Sequence, residues 1–199
     1  MSPLTHLLAS WIFAAHATDN ARDRRLVALA GLAPDLDGLG LVADVVRNMI
    51  QNTEGFPLYQ TYHHWLMHGW AGGLAIGCLC AALGRQRARV FWSALLVFHL
   101  HLFCDLLGSR GPELGDLWPI HYFGPFSQSP MWLWRGQWRL DGWQNQLITV
   151  LLLVWTFRLA VQQGFSVVSV FSSRADATFV ATLRKWAADW KASPQSYRS

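Results

Sequence analysis

The chain has 199 residues, enough for one domain, and 52% of them are hydrophobic while 14% are charged. Soluble proteins carry about a quarter charged residues, so the balance points away from a water-facing enzyme or a disordered chain. The net charge of +4 and pI of 9.3 need no nucleic-acid partner, because the basic residues fall between apolar blocks.

Five apolar helices are expected in chain order. They cover residues 3–17, 26–46, 64–83, 89–107 and 143–162, the second broken near Pro34. A bilayer core takes about 20 apolar residues per helix, so the shorter runs suit tilted or partly embedded helices. The start of the chain ends its apolar run in "AAHA", which looks like a cleavage site. It lacks the basic opening of a signal peptide and is read as mature helix. The connection 108–142 is long and rich in Gly, Pro and Trp, including Trp118, Trp132, Trp134 and Trp138. Those tryptophans suit a membrane interface, and the loop could also form a lid. A last helix over 175–191 places Phe179, Leu183, Trp186 and Trp190 on one side, as in a helix lying on a membrane or packing on the bundle. The expected fold is all-α: a polytopic membrane helical bundle with a C-terminal amphipathic helix. Residues 1–163 form the membrane-embedded domain and 164–199 the helix and tail. Cys78, Cys80 and Cys104 form no disulfide or metal-knuckle pattern and read as buried small side chains.

Basic residues orient such a bundle, since loops on the cytoplasmic side are enriched in Lys and Arg. Arg22, Arg24 and Arg25 follow the first helix, and Arg85, Arg87 and Arg89 follow the third. Arg158, Arg174, Arg184, Lys185, Lys191 and Arg198 follow or end the fifth. The other side keeps Arg47, Arg110, Arg135 and Arg139. The expectation is a chain that starts outside and ends with a cytoplasmic C-terminus. His6, the 63–68 histidines, His101 and Asp105 then gather near the outer level.

Four groups carry candidate chemistry. His101 and Asp105 are i and i+4 on an apolar helix, so they share a face and can grip one ion, or form a buried hydrogen bond. His99, two residues away, points elsewhere and reads as a core or partner-contacting histidine. "YHHWLMH" brings His63, His64 and His68 within six residues, and imidazole is the commonest metal ligand. Helical geometry pairs His64 with His68; His63 reaches His68 only if the first turn is irregular. A polar helix start is the plain alternative. "PDLD" sets Asp35 and Asp37 in the helix break, where burial calls for a cation or for capping duty. His6 stands at the first helix start. Mixed nitrogen and oxygen donors on four helices suit Zn²⁺, and also Mn²⁺ or Fe²⁺, as one ion or two.

The motifs "PLTHLL", "PDLD", "HHWLMH" and "HLFCDLLGSRG", followed by "WPI" and "GPFS", resemble the YdjM-like family of bacterial inner-membrane metal-dependent hydrolases of unknown substrate. The resemblance spans about residues 1–127. That family is in turn similar to zinc-dependent phospholipase C and the S1/P1 nucleases, all-helical enzymes that cleave phosphodiesters with clustered zinc ions. The resemblance implies His6, Asp35, Asp37, a middle histidine, His101 and Asp105 as ligands. Where the family usually reads H-R-G-x-T-H-S, this chain reads His63-His64-Trp65-Leu66-Met67-His68-Gly69, an alignment that favours His63 and His68 and leaves no arginine or serine there for phosphate. His121 is a further candidate ligand.

The expectation is a membrane-bound hydrolase of the bacterial inner membrane, using metal-activated water on a phosphoester or lipid-like substrate. Asp35 or Asp37 would ligate metal or accept the proton from water. Its partners would be membrane lipids and a small or lipid substrate. The alternatives are a di-iron oxidase or desaturase, or a non-catalytic metal-binding membrane protein or transporter. H-E-x-x-H is absent, which leaves a zincin protease without support.

Overall fold

The computed structural model describes residues 1–63, 65 and 67–192, with side chains as far as Trp190. His64 therefore lies outside the described residues. The chain is all-helical, and eight α-helices are seen among the described residues.

The first, α1 (Pro3–Ala17), starts where Ser2 accepts a hydrogen bond from the Thr5 amide and Pro3 presets the first turn. Asn20 caps α2 (Ala21–Ala30) in the same way, through the Asp23 amide. Gly31 ends that helix, and Pro34 opens a 3-10 segment, Ala33–Leu39, before α3 (Gly40–Gln51). The break expected near Pro34 is there, bent by 51°. A short α4 (Pro57–Tyr62) follows, and residues 63, 65 and 67–69 are not helical. The third expected helix thus begins late, as α5 (Trp70–Leu83).

Helix α5 packs along α6 (Arg87–Gly108), where Gly73 and Gly77 leave room for rings: an added Cβ would sit 3.2 Å from Phe98 and 3.1 Å from Phe91. Small residues serve helix packing in lipid in this way. Trp11, Val27, Ala28, Val90, Ala94, Val97 and Leu159 form the main core, the last from α7 (Trp143–Gln163).

Against an expectation of five, two helices among the described residues, α6 and α7, are long and apolar enough to cross a bilayer, with a third span if α2 and the bent Ala33–Gln51 segment count as one. At 15 and 14 residues, α1 and α5 fall short of the length a span needs. The outer faces agree with lipid contact: Val150, Leu151, Val154 and Trp155 on α7, and Val42, Val46, Met49 and Ile50 on α3, are exposed.

The long connection is pinned rather than loose. Ile120 and Trp132 exchange backbone hydrogen bonds, and the Gln137 side chain bonds both polar backbone groups of Trp118. The last helix, α8 (Ser173–Ala192), docks its first turns through Asp176 and Val180, while Trp186 and Trp190 stay exposed. All three cysteines are free; Cys80 is buried but Cys78 is exposed, against the buried reading.

The bundle has two distinct ends. At one, Asp23, Arg85, Gln86 and Arg89 meet, and Arg25 reaches Ser169. At the other lie the start of α1, the 3-10 segment, His68, the end of α6 and the start of α7.

Candidate metal centre

Each histidine is delivered by a local feature. The early start of α1 sets His6 one turn inside, where its ring stacks on His101 with centroids 3.6 Å apart. His101 and Asp105 are one turn apart on α6, both almost fully buried. A 3-10 segment turns about 120° per residue, so Asp35 and Asp37 point to different partners.

Two groups of ligand atoms result, each lying within 4.8 Å of one another. The first is His6, Asp35, His101 and Asp105; the second is Asp37, His63 and His68. Asp105 is the hub. Its Oδ1 is 3.1 Å from His6 Nε2, and its Oδ2 is 2.9 Å from His101 Nε2 and 3.5 Å from His68 Nε2. Asp35 Oδ1 lies 3.6 Å from His101 Nε2. A tetrahedral ion with bonds near 2.0–2.1 Å sets its ligands about 3.3 Å apart, within the range seen here.

His101 supplies the chemical test of fit. Its Nδ1–H donates to the Gly31 carbonyl at 2.8 Å, a group freed because α2 ends there. The ring proton is thereby fixed on Nδ1, as in histidines that bind metals through Nε2. Nε2 is buried, makes no aligned hydrogen bond, and faces two carboxylates. A lone pair against carboxylate oxygens is repulsive without a cation between them. The donor set therefore fits a divalent metal.

The second group braces the first. Asp37 accepts hydrogen bonds from His63 Nδ1 and His68 Nδ1, each at 2.9 Å, and from the Met67 amide at 3.2 Å. His68 thus lies between Asp37 and Asp105. Burial works against charge on its ring, but the hydrogen bonds with Asp105 and Asp37 prevail and raise it to about 9.

His63 and His68, on the described non-helical residues before α5, converge on Asp37, the arrangement the motif alignment favours. Trp70 donates its amide to the Tyr122 carbonyl, and a Cβ on Gly124 would lie 2.2 Å from the Trp65 carbonyl, so the long connection presses against these residues. His99 is structural, bonded to the Leu95 carbonyl and the Tyr122 hydroxyl. His121 contacts the Gln128 carbonyl and joins neither group.

Sequence reading missed several neighbours. Ser109 donates to Asp105 Oδ1 at 2.8 Å, and the Met1 amino group donates to Asp105 and, at 3.0 Å, to Ser109. Tyr59 stacks on His63 at 4.6 Å, with Trp118 5.7 Å away. Burial, reinforced by Asp35, Asp105 and Asp37, holds the Tyr59 hydroxyl above the usual phenol range, so it remains a donor. These residues border a cavity of about 500 Å³ with Asp35 and Asp105 in its lining.

A model of the family described as YdjM inner membrane protein matches residues 1–177. No significant match to a curated protein or a solved structure accompanies it. The match runs from the first ligand group through α7 and into α8, and the chain belongs to the YdjM inner membrane protein family.

Proposed function

We propose that the protein is a membrane-bound hydrolase dependent on one or two divalent ions, with zinc as the best fit, acting on a phosphoester. The observation that carries this reading is His101, whose Nε2 faces Asp105 and Asp35 while its Nδ1–H is committed to the Gly31 carbonyl. His6, His101, Asp105 and Asp35 would hold the ion, with His68 completing the set. When bound, the ion would lower the pKa of water toward about 7 and polarise a phosphoryl oxygen.

The chain's own groups divide the remaining tasks. Asp35 borders the cavity and keeps a buried oxygen without a hydrogen-bond partner, so it is the group placed to take a proton from water. Asp37 is saturated by His63, His68 and Met67 and holds His68 in place. Tyr59 offers a hydroxyl donor at the cavity wall. By the positive-inside rule, the arginine-rich end faces the cytoplasm and the centre opens toward the opposite side.

Metal analysis of detergent-purified protein, followed by assay on phosphomonoesters and phosphodiesters, tests this. Bound zinc with turnover that chelation abolishes is the expected result. Iron with an oxygen-dependent reaction, or metal without any ester cleavage, refutes it.

A further inference from the structure

We infer that the substrate is an amphiphile: an anionic phosphoester head seated at the Asp35–Asp105 end of the cavity, with its hydrocarbon chain leaving sideways into the bilayer. This rests on the metal-hydrolase reading and names the substrate class for that centre. The cavity, about 500 Å³, is of a size for a headgroup and part of a chain. Its polar lining includes Asp35, Asp105, Ser109 and His63, and its apolar lining includes Leu39, Leu41, Pro112 and Leu140.

Three observations point to a chain rather than a water-soluble ester. First, no lysine or arginine lines the cavity among the described residues, so no side-chain cation draws a soluble phosphate in from water. An anionic head is met at the Asp35–Asp105 end, where the Met1 amino group also lies. Second, Leu39, Leu41 and Leu140 line the cavity and yet are 58%, 39% and 47% exposed, so its apolar wall opens to the outside. Third, Leu39 also lines the adjoining, mainly apolar groove on α3 with Val42, Val46 and Ile50, which Arg47 and Gln51 share. An apolar track therefore runs from the ligand atoms to a face suited to lipid. A soluble substrate gains nothing from such a track; a methylene chain gains about 0.8 kcal/mol for each CH₂ it keeps from water.

The test uses the full chain in zinc-supplied nanodiscs with two probes. The first is a sixteen-carbon alkylphosphonate carrying a mid-chain diazirine, photolysed and mapped by peptide mass spectrometry. Adducts are expected on Leu39, Leu41, Pro112 or Leu140, and should be depleted in both Leu41→Trp and Leu140→Trp. Adducts confined to the α7 face around Leu151 and Val154, unchanged in either variant, would overturn the inference. The second probe is a pair of 4-nitrophenyl phosphodiesters, with methyl and hexadecyl groups. The hexadecyl-to-methyl ratio of kcat/KM should exceed one and fall at least about tenfold in each tryptophan variant, the discrimination expected from a blocked apolar contact. A ratio at or below one in the wild type, or one untouched by both variants, also overturns it. Adducts in the cleft without cleavage of either ester sink the hydrolase reading and leave the amphiphile site standing. Cleavage without cleft adducts does the reverse.

Discussion

Asp23 and Asp105 are both almost fully buried, at opposite ends of the same bundle, and their surroundings differ in kind. Asp23 accepts the Arg85 amide at 2.7 Å, the Gln86 amide at 3.0 Å and the Asn20 side-chain amide at 2.9 Å. Every one of those donors brings its own hydrogen, and the carboxylate ties α2 to the start of α6. Asp176 is similar, held by the amide and hydroxyl of Ser166. Asp105 also takes hydrogens, from the Ser109 hydroxyl and the Met1 amino group, but it faces three imidazole nitrogens as well, and the His101 ring donates its Nδ1–H to a carbonyl elsewhere. A buried carboxylate met by backbone and side-chain amides alone is structural. One ringed by imidazoles as well is suited to a cation, and that contrast separates the two ends more sharply than burial or charge count.

The largest expected effect is therefore at Asp105 and His101. Asp105→Asn removes the hub's charge, and His101→Ala removes the aligned lone pair. Each should strip bound metal and lower phosphoester turnover by well over the roughly 10–100-fold that loss of a supporting group costs. Metal content by mass spectrometry and turnover on the same preparations check this. Wild-type levels of both in the two variants would place these residues outside the centre.

Much of this contrast is legible in the sequence, and the limits have physical causes. The i, i+4 spacing of His101 and Asp105 needs only helical periodicity, and the break at Pro34 follows from its missing amide. Helix lengths are harder, because α5 starts only at Trp70, where the preceding turn is bent to bring His68 onto Asp37. The choice between His63 and His64 hangs on that turn. The Gly31 carbonyl could not be read at all: backbone groups carry no residue signature, and this one matters only because of where α2 stops. Ser109, Tyr59, Trp118 and the leucines of the cavity depend on the path of a 30-residue-scale connection, which periodicity does not encode.

A smaller effect should follow at His63, which supports the centre through Asp37 rather than facing Asp105. His63→Ala leaves the first ligand group intact. It should lower turnover about 10–100-fold while at least one metal equivalent stays bound. Complete loss of metal would make His63 part of a single centre, and unchanged turnover would remove Asp37 and His63 from the supporting structure.

Gly31 tests the carbonyl that orients His101. A Cβ there would lie 1.7 Å from Ser10 Oγ and 2.5 Å from Ser10 Cβ, so Gly31→Ala must displace one strand of the α1–α2 hairpin. Metal affinity should weaken about tenfold, at the low end for a supporting group. Ser10→Gly removes both clashing atoms, and the double variant should recover affinity. Equal affinity in the single variant and wild type, measured by competition with a chromophoric chelator, would mean the Gly31 carbonyl does not hold the ring.

The smallest effect on metal is expected at Asp23, and that smallness is the point. Asp23→Ala leaves the Arg85 and Gln86 amides without their acceptor where α5 hands over to α6. Losing a buried acceptor costs about 1–3 kcal/mol, which for a chain of this size lowers the midpoint of thermal unfolding by several degrees. Nothing in that change reaches the other end of α6, so metal stoichiometry and turnover per folded molecule should stay within about twofold, as expected for well-separated sites. Thermal unfolding in detergent, read beside metal content, separates the two outcomes. If Asp23→Ala lost metal as Asp105→Asn does, the distinction between a carboxylate held by amides and one ringed by imidazoles would fail at its simplest instance.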